Sequence, residues 1–237
     1  DPKERMCFGA EWIAALQSRV SSMSDPMLEY VMNSFLLLFV TIDPVGVTPV
    51  FAALSAQLPE PARRRAATRA VMLAAVIMVV FGLVGADLLN ALGIGLPAFR
   101  IAGGGLLFLL AIDMVFARHS GLRSTTQGEF HEAEHRQDIS VFPLAFPLLA
   151  GPGALTTVLL LTAGHDGEPE MLGVTLAALA LVLLVTWTAL RLTGPLLRVL
   201  GETGANVIGR LLGLLLAALA VQFIVDGVTA VLRDAAT

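Results

Sequence analysis

Six apolar segments, each long enough to cross a bilayer, constrain this chain more than any other feature of it. A helix that crosses the hydrocarbon core needs roughly 20 mostly apolar residues. The segments run from Leu28 to about Leu58, Ala66 to Leu92, Pro97 to Ala117, Ile139 to Ala163, Met171 to Leu192 and Ala205 to Leu232. Nothing alternates with period two for long, which argues against a membrane barrel. Composition agrees, because only 14% of the 237 residues are charged. A soluble domain carries about 25%, so these polar residues could not cover a soluble globule. The net charge of −4 offers no basic face to nucleic acid. A single cysteine, Cys7, cannot close an internal disulfide. The expected fold class is all-α, a polytopic membrane protein whose solvent and first partner is the lipid bilayer.

The basic residues give an orientation. Arg63, Arg64, Arg65 and Arg69 lie in or beside loop 1–2, Arg118, Arg123 and Arg136 in loop 3–4, and Arg191, Arg198 and Arg210 around loop 5–6. Loop 2–3 has only Arg100, and loop 4–5 has no basic residue but holds Asp166, Glu168 and Glu170. Cytoplasmic loops hold the excess of Lys and Arg. The expectation is a multi-pass protein of a bacterial-type inner (plasma) membrane with both termini outside. Residues 1–26 stand apart from the membrane domain at 27–237. Phe8, Trp12, Ile13, Leu16 and Val20 share one face at helical spacing, which fits a helix lying in the interface or an extension without a function of its own. A start at Asp1 rather than Met fits a processed end.

Two spans are interrupted. The first holds Asp43-Pro44-Val45-Gly46 and the fourth holds Gly151-Pro152-Gly153. Proline lacks an N–H and clashes with the preceding turn, so each span is expected to divide into two half-helices. A constant shift of 108 residues aligns Pro44 with Pro152, Thr48 with Thr156, Gly93 with Gly201 and Gly105 with Gly213. The halves, about 27–117 and 139–232 with a loop at 118–138, each hold three spans and would enter the membrane in opposite senses. Inverted repeats with discontinuous helices are a common plan of secondary transporters, with the site near the midplane at the breaks. There the second half-helix offers N–H donors and a positive dipole end to an anionic group.

Three stretches also resemble a known family. Phe39-Val-Thr-Ile-Asp-Pro-Val-Gly-Val-Thr-Pro-Val-Phe51, Ala98-Phe-Arg-Ile-Ala-Gly-Gly-Gly-Leu-Leu107 and Phe142-Pro-Leu-Ala-Phe-Pro-Leu-Leu-Ala-Gly-Pro-Gly-Ala154 are similar to first-, third- and fourth-span motifs of the MarC family of integral membrane proteins. The resemblance runs from about Met27 to the C-terminus. It implies a relation to LysE-type exporters and, from members described so, transport of neutral amino acids. Val47 stands where many members have Asn.

Ionisable groups inside spans are costly and often functional. Asp43 lies about 15 residues into its span, near the midplane by helix rise. It is a candidate proton or cation site, or a cap for the second half-helix. The candidate substrate-binding set is Asp43, Pro44, Gly46, Thr48, Gly151, Pro152, Gly153 and Thr156. Gly103 and Gly104 join it as a glycine face that either lines the path or packs helices. Arg100 with Asp226, and Asp113 with Arg210, could pair across helices or reach the interfaces. Asn33, Asn90, Asn206 and Gln222 could bridge helices. His131-Glu132-Ala-Glu-His135 matches H-E-x-x-H, but it lies in a charged loop and no third ligand follows.

The expected function is secondary transport of a small neutral solute, an amino acid, by alternating access at the paired breaks. It requires no cofactor beyond coupling to H+ or Na+, and no catalytic or metal residue is assigned. The alternatives are an intramembrane metalloprotease built on the His131–His135 loop and a non-transporting membrane scaffold. Sequence alone names neither the substrate nor the oligomeric state.

Overall fold

The computed structural model describes residues 26–116, 139–163 and 169–234, and no strand occurs among them. The elements are α1 (Pro26–Ile42), α2 (Pro44–Leu54), α3 (Glu60–Ala91), α4 (Leu96–Val115), a wide-turned segment Ser140–Leu149, α5 (Pro152–Ala163), α6 (Pro169–Arg191) and α7 (Thr193–Asp234). The amphipathic stretch before residue 26 and the H-E-x-x-H loop at 131–135 lie outside the described residues.

Five stretches are long and apolar enough to cross a membrane: Met27–Leu54, Glu60–Ala91, Leu96–Val115, Pro169–Arg191 and Val207–Arg233. Ser140–Leu149 and Pro152–Ala163 make a sixth if the pair, bent by 58°, crosses as one span. Met72, Val76, Leu184 and Leu214 are all more than half exposed. So broad an apolar surface belongs against lipid. The all-helical polytopic architecture is the one the apolar segments required.

One boundary differs from the expectation in an instructive way. α3 begins at Glu60 rather than Ala66, because charge ends a membrane span but not a helix. Glu, Ala and Arg are good helix formers, and Pro61 suits the first turn. Arg63 and Arg64 both reach back to Glu60 from the next turn.

Two hydrophobic clusters hold the helices together. The larger joins Leu38 and Ile42 of α1, Phe51 of α2, Met78 of α3, Leu149, Val158 of α5 and Leu179 of α6. The smaller joins Leu107, Leu110 and Ala111 of α4 with Leu216 and Ala220 of α7. α4 and α7 form the most extensive pairing of the molecule. Small residues let their backbones approach. A Cβ on Gly104 would stand 2.8 Å from the Ala220 carbonyl, and one on Gly227 would stand 2.8 Å from the Pro97 carbonyl.

The polar ties between helices come from residues that look unremarkable in sequence. The Tyr30 hydroxyl lies 2.6 Å from Thr175 Oγ1 and donates to the Leu161 carbonyl. Thr162 Oγ1 donates to the Gly82 carbonyl at 2.8 Å, and Trp187 Nε1 donates to Thr68 Oγ1 at 3.1 Å. The amides singled out above behave otherwise. Asn33 and Asn90 are exposed, and Gln222 donates to Asp226 on its own helix. The side chain of Asn206 lies outside the described part. The ion pairs seen between described residues are those of Glu60, and Asp226 accepts from Gln222 rather than from Arg100. Near a span end, an arginine can reach water along its own stem and needs no buried carboxylate.

Candidate functional site

The first interruption is one residue wide. α1 ends at Ile42, Asp43 adopts φ 52 and ψ 69, and Pro44 opens α2. Asp43 is the one non-glycine residue with positive φ among the described residues. Aspartate visits this left-handed region more readily than most side chains. Regular helical bonds lie on either side of it, but Pro44 has no N–H to carry the ladder across. Asp43 N–H donates to Phe39 O at 2.9 Å, and Val47 N–H donates to Asp43 O at 3.1 Å. The carboxylate caps the new helix, accepting from Gly46 N–H at 2.9 Å. Glycine at 46 lets the carboxylate lie this close, because a Cβ there would meet it. Asp43 is 1% exposed. Thr48 Oγ1 turns back to the Pro44 carbonyl at 2.7 Å.

The interruption of the fourth span is long. Phe142 (φ −132, ψ 129) and Phe146 (φ −136, ψ 129) are extended inside an otherwise helical run. Each precedes a proline, whose ring pushes the residue before it out of the helical region. Both Phe–Pro peptide bonds are cis. Ala150 N–H then reaches the Ala145 carbonyl at 2.9 Å, one residue beyond α-helical spacing. Gly151 follows, and a Cβ there would stand 2.5 Å from the Pro147 carbonyl. Pro152 opens α5, and Thr156 Oγ1 turns back to its carbonyl at 2.8 Å. The sequence reading centred this break on Gly151-Pro152-Gly153. The structure extends it back to Phe142, and the two Phe-Pro steps four residues apart were the signal.

A small cavity of about 20 Å3 lies beside the second break, with room for about one water. Pro147, Leu148 and the Gly151–Ala154 stretch line it, with Thr41 from α1 and Leu106 and Leu110 from α4. Among the described residues, no ionisable side chain lines it. Its polar features are the Thr41 hydroxyl, which donates to the Leu37 carbonyl at 2.9 Å, and the α5 N-terminus. First-turn N–H groups of a helix lack intrahelical acceptors, and here they belong to cavity-lining Gly153 and Ala154.

The predicted site residues therefore sort into three places. Gly151, Pro152 and Gly153 line the cavity. Thr156 lies one turn further along α5, buried against Gly103, where any Cβ would collide with its side chain. Asp43, Pro44, Gly46 and Thr48 form the first break, which begins two residues after cavity-lining Thr41. Gly104 faces α7 instead and serves helix packing. Thr41, Leu106, Leu110 and Pro147 were not singled out from sequence. Thr41, Leu106 and Pro147 at least sat inside the quoted motifs, whereas Leu110, one leucine among many, carries no signal.

Several local features recur at the spacing of 108 residues. Pro44 and Pro152 each open a half-helix, and Thr48 and Thr156 each bond to the proline one turn back. Gly93 (φ 70) and Gly201 (φ 64) are the positive-φ glycines among the described residues. At the same shift Asp43 corresponds to Gly151.

Comparison with known proteins gives a consistent result. A family model described as MarC family integral membrane protein matches residues 28–232. The chain is 36% identical over 194 residues to the UPF0056 membrane protein YhcE of Escherichia coli (strain K12), covering 82% of this chain and 89% of that protein. It is 38% identical over 204 residues to a UPF0056 membrane protein of Aquifex aeolicus (strain VF5), covering 85% and 93%. It is 33% identical over 201 residues to the UPF0056 membrane protein YvbG of Bacillus subtilis (strain 168), covering 85% and 95%. No solved structure matches the chain.

Proposed function

The chain belongs to the MarC family of integral membrane proteins, and from that premise we propose that it is a secondary transporter, not an enzyme. Its substrate on this reading is a small neutral solute, an amino acid, moved by alternating access at the paired helix breaks. The observation that carries the reading is the cavity between the α5 N-terminus and Thr41. Its lining is uncharged, which suits a ligand without net charge.

The two breaks supply the chemistry. At the first, Asp43 gives α2 its own carboxylate cap. At the second, the corresponding residue is Gly151, so the chain brings no carboxylate of its own. The N–H groups of Gly153 and Ala154 are then available to the carboxylate of a substrate, assisted by the helix dipole. Thr41 Oγ1, which keeps lone pairs beyond its own donated bond, can accept from an ammonium group. A cavity that holds about one water is too small for an amino acid. Loading therefore requires movement of α4 or α5, as alternating access demands.

The two-halves plan, 27–117 and 139–232 in opposite orientation, is supported by the features recurring 108 residues apart. It is supported also by how pairings exchange: α2 packs on α7 as α5 packs on α4, and α1 packs on α6 as Ser140–Leu149 packs on α3. The distribution of arginines favours loops 1–2, 3–4 and 5–6 inside the cell, both termini outside, and the plasma membrane as host. Coupling falls to H+ through Asp43 or to Na+ through carbonyls freed by the prolines.

The test is counterflow of a labelled amino-acid panel by the purified chain in proteoliposomes. Accumulation of a neutral amino acid, lost in Gly153→Val, supports the reading. A folded protein that exchanges no member of the panel overturns it.

A further inference from the structure

At the opposite end of the α3–α6 seam from Ala91 lies an arginine that the transport reading does not use. Arg191 is the last residue of α6. Its guanidinium lies over the Trp187 ring, 4.7 Å from the centroid. The indole N–H is itself fixed by Thr68 of α3 at 3.1 Å. The platform is therefore held between two helices. Arg191 Nε is buried and has no hydrogen-bond partner. No carboxylate pairs with Arg191 among the described residues.

Among the described residues, negative charge is sparse here. Arg63 and Arg64 share the single carboxylate of Glu60. Arg65, one turn before Thr68 on α3, is exposed. One and two turns from Thr68 on α3, and from Trp187 on α6, exposed residues are apolar. Met72 (61% exposed) and Val76 lie on α3, and Leu184 and Leu181 lie on α6. A cationic fork stacked on an interfacial tryptophan thus heads an apolar strip.

We propose that Arg191, held flat on Trp187, binds the phosphate of an anionic phospholipid whose acyl chain lies along the exposed strip between α3 and α6. Three properties select this occupant. Guanidinium matches a phosphodiester by paired N–H donors. Tryptophan and arginine are both at home at the headgroup level. The strip beyond them is apolar, so a soluble anion would use only part of the surface. Basic pockets between spanning helices are a recognised way to hold acidic headgroups. The proposal depends on the membrane architecture and not on transport.

The test uses the full chain with Trp12→Phe, which leaves Trp187 as the only tryptophan. The protein is reconstituted with brominated phosphatidylglycerol or brominated phosphatidylcholine at equal mole fraction, and quenching of Trp187 is measured. The expected result is about a fivefold preference for phosphatidylglycerol, the factor one basic residue contributes near an anionic surface. Arg191→Gln should abolish most of that preference. Equal quenching by the two lipids overturns the proposal, as does a preference that persists in Arg191→Gln. Inorganic phosphate at 10 mM should leave the preference unchanged; if it removes it, the site is for a free anion and the lipid assignment fails. Should Arg191→Gln not fold, raising the salt in the parent protein decides. Screening should reduce the preference several-fold, and a salt-independent preference overturns the proposal.

Discussion

At Asp43 a helix is interrupted over a single residue, with regular helical bonds on either side of it; between Phe142 and Pro152 the chain leaves the helix twice and turns by 58°. Both interruptions end in the same way, with a proline opening a half-helix and a threonine bonded to its carbonyl. They differ in what precedes that proline. In the first, an aspartate supplies the carboxylate that the new helix N-terminus attracts. In the second, glycine stands there, and the neighbouring backbone fills the space a side chain would need. A broken helix can thus carry its own side-chain cap or lack one, and the residue before the proline makes the difference.

The largest effect should come from filling the second break. In Gly151→Ala the Cβ meets the Pro147 carbonyl, a backbone atom that cannot rotate away. Overpacking of this kind costs about 1–3 kcal/mol, and counterflow should be abolished because the cavity wall must shift. Gly46→Ala meets only the Asp43 carboxylate, the end of a side chain. That carboxylate can turn out of the way, so the loss should be limited to the cap, about 1 kcal/mol. Thermal unfolding in detergent compares the two. Equal losses would remove the distinction between an open and a self-capped break.

Next in size is Gly103→Ala, which drives α4 away from Thr156 and the second break. A loss of about 1–3 kcal/mol is expected. Thr156→Ala in the same chain should restore part of it by removing the colliding methyl and hydroxyl. Additive losses in the double variant would show that the two residues do not share this contact.

Pro44→Ala and Pro152→Ala should differ in consequence. Asp43 is held at positive φ, which costs about 1–2 kcal/mol, and Pro44 keeps it from the helical region. Alanine releases that restraint, so Pro44→Ala should straighten the first span and raise its stability by about 1 kcal/mol. Pro152→Ala leaves the prolines after Phe142 and Phe146 in place, so the bend should persist with little change in stability. Hydrogen exchange of the Ile42–Val47 amides, slower in Pro44→Ala than in the parent, would report the straightening. Unchanged exchange would mean that something other than Pro44 holds Asp43.

The same contrast explains what the sequence could tell. Long uncharged segments are a strong signal, so the five long helices and the bent pair were legible within a few residues. Proline and glycine mark interruptions, so both breaks were found. Their extent was not. One proline with a following glycine reads much like another, and how far a break extends depends on hydrogen bonds such as Gly46 N–H to the Asp43 carboxylate that no residue type announces. Threonines were the other blind spot. Thr41, Thr68, Thr162 and Thr175 fix the cavity wall and the helix seams. A hydroxyl that can also bond to its own helix is at ease in an apolar segment, so its role emerges only from what packs beside it.

The smallest structural effect, and the sharpest test of mechanism, belongs to Asp43. Asn retains a capping oxygen and tolerates positive φ, so Asp43→Asn should keep the first break within a few tenths of a kcal/mol of the parent. Asp43→Ala loses the bond to Gly46 N–H and should cost about 1 kcal/mol. Function then separates the two roles of the carboxylate. Asn cannot exchange a proton, so a proton-coupled carrier should lose its response to an imposed pH gradient while still exchanging bound substrate across the membrane. A carboxylate that only caps leaves gradient-driven uptake intact in Asp43→Asn and weakens it in Asp43→Ala through stability alone. Uptake by both variants, with and without the gradient, distinguishes these outcomes. An unaltered response in Asp43→Asn would confine Asp43 to the cap and leave Na+ coupling or simple facilitation at the second break.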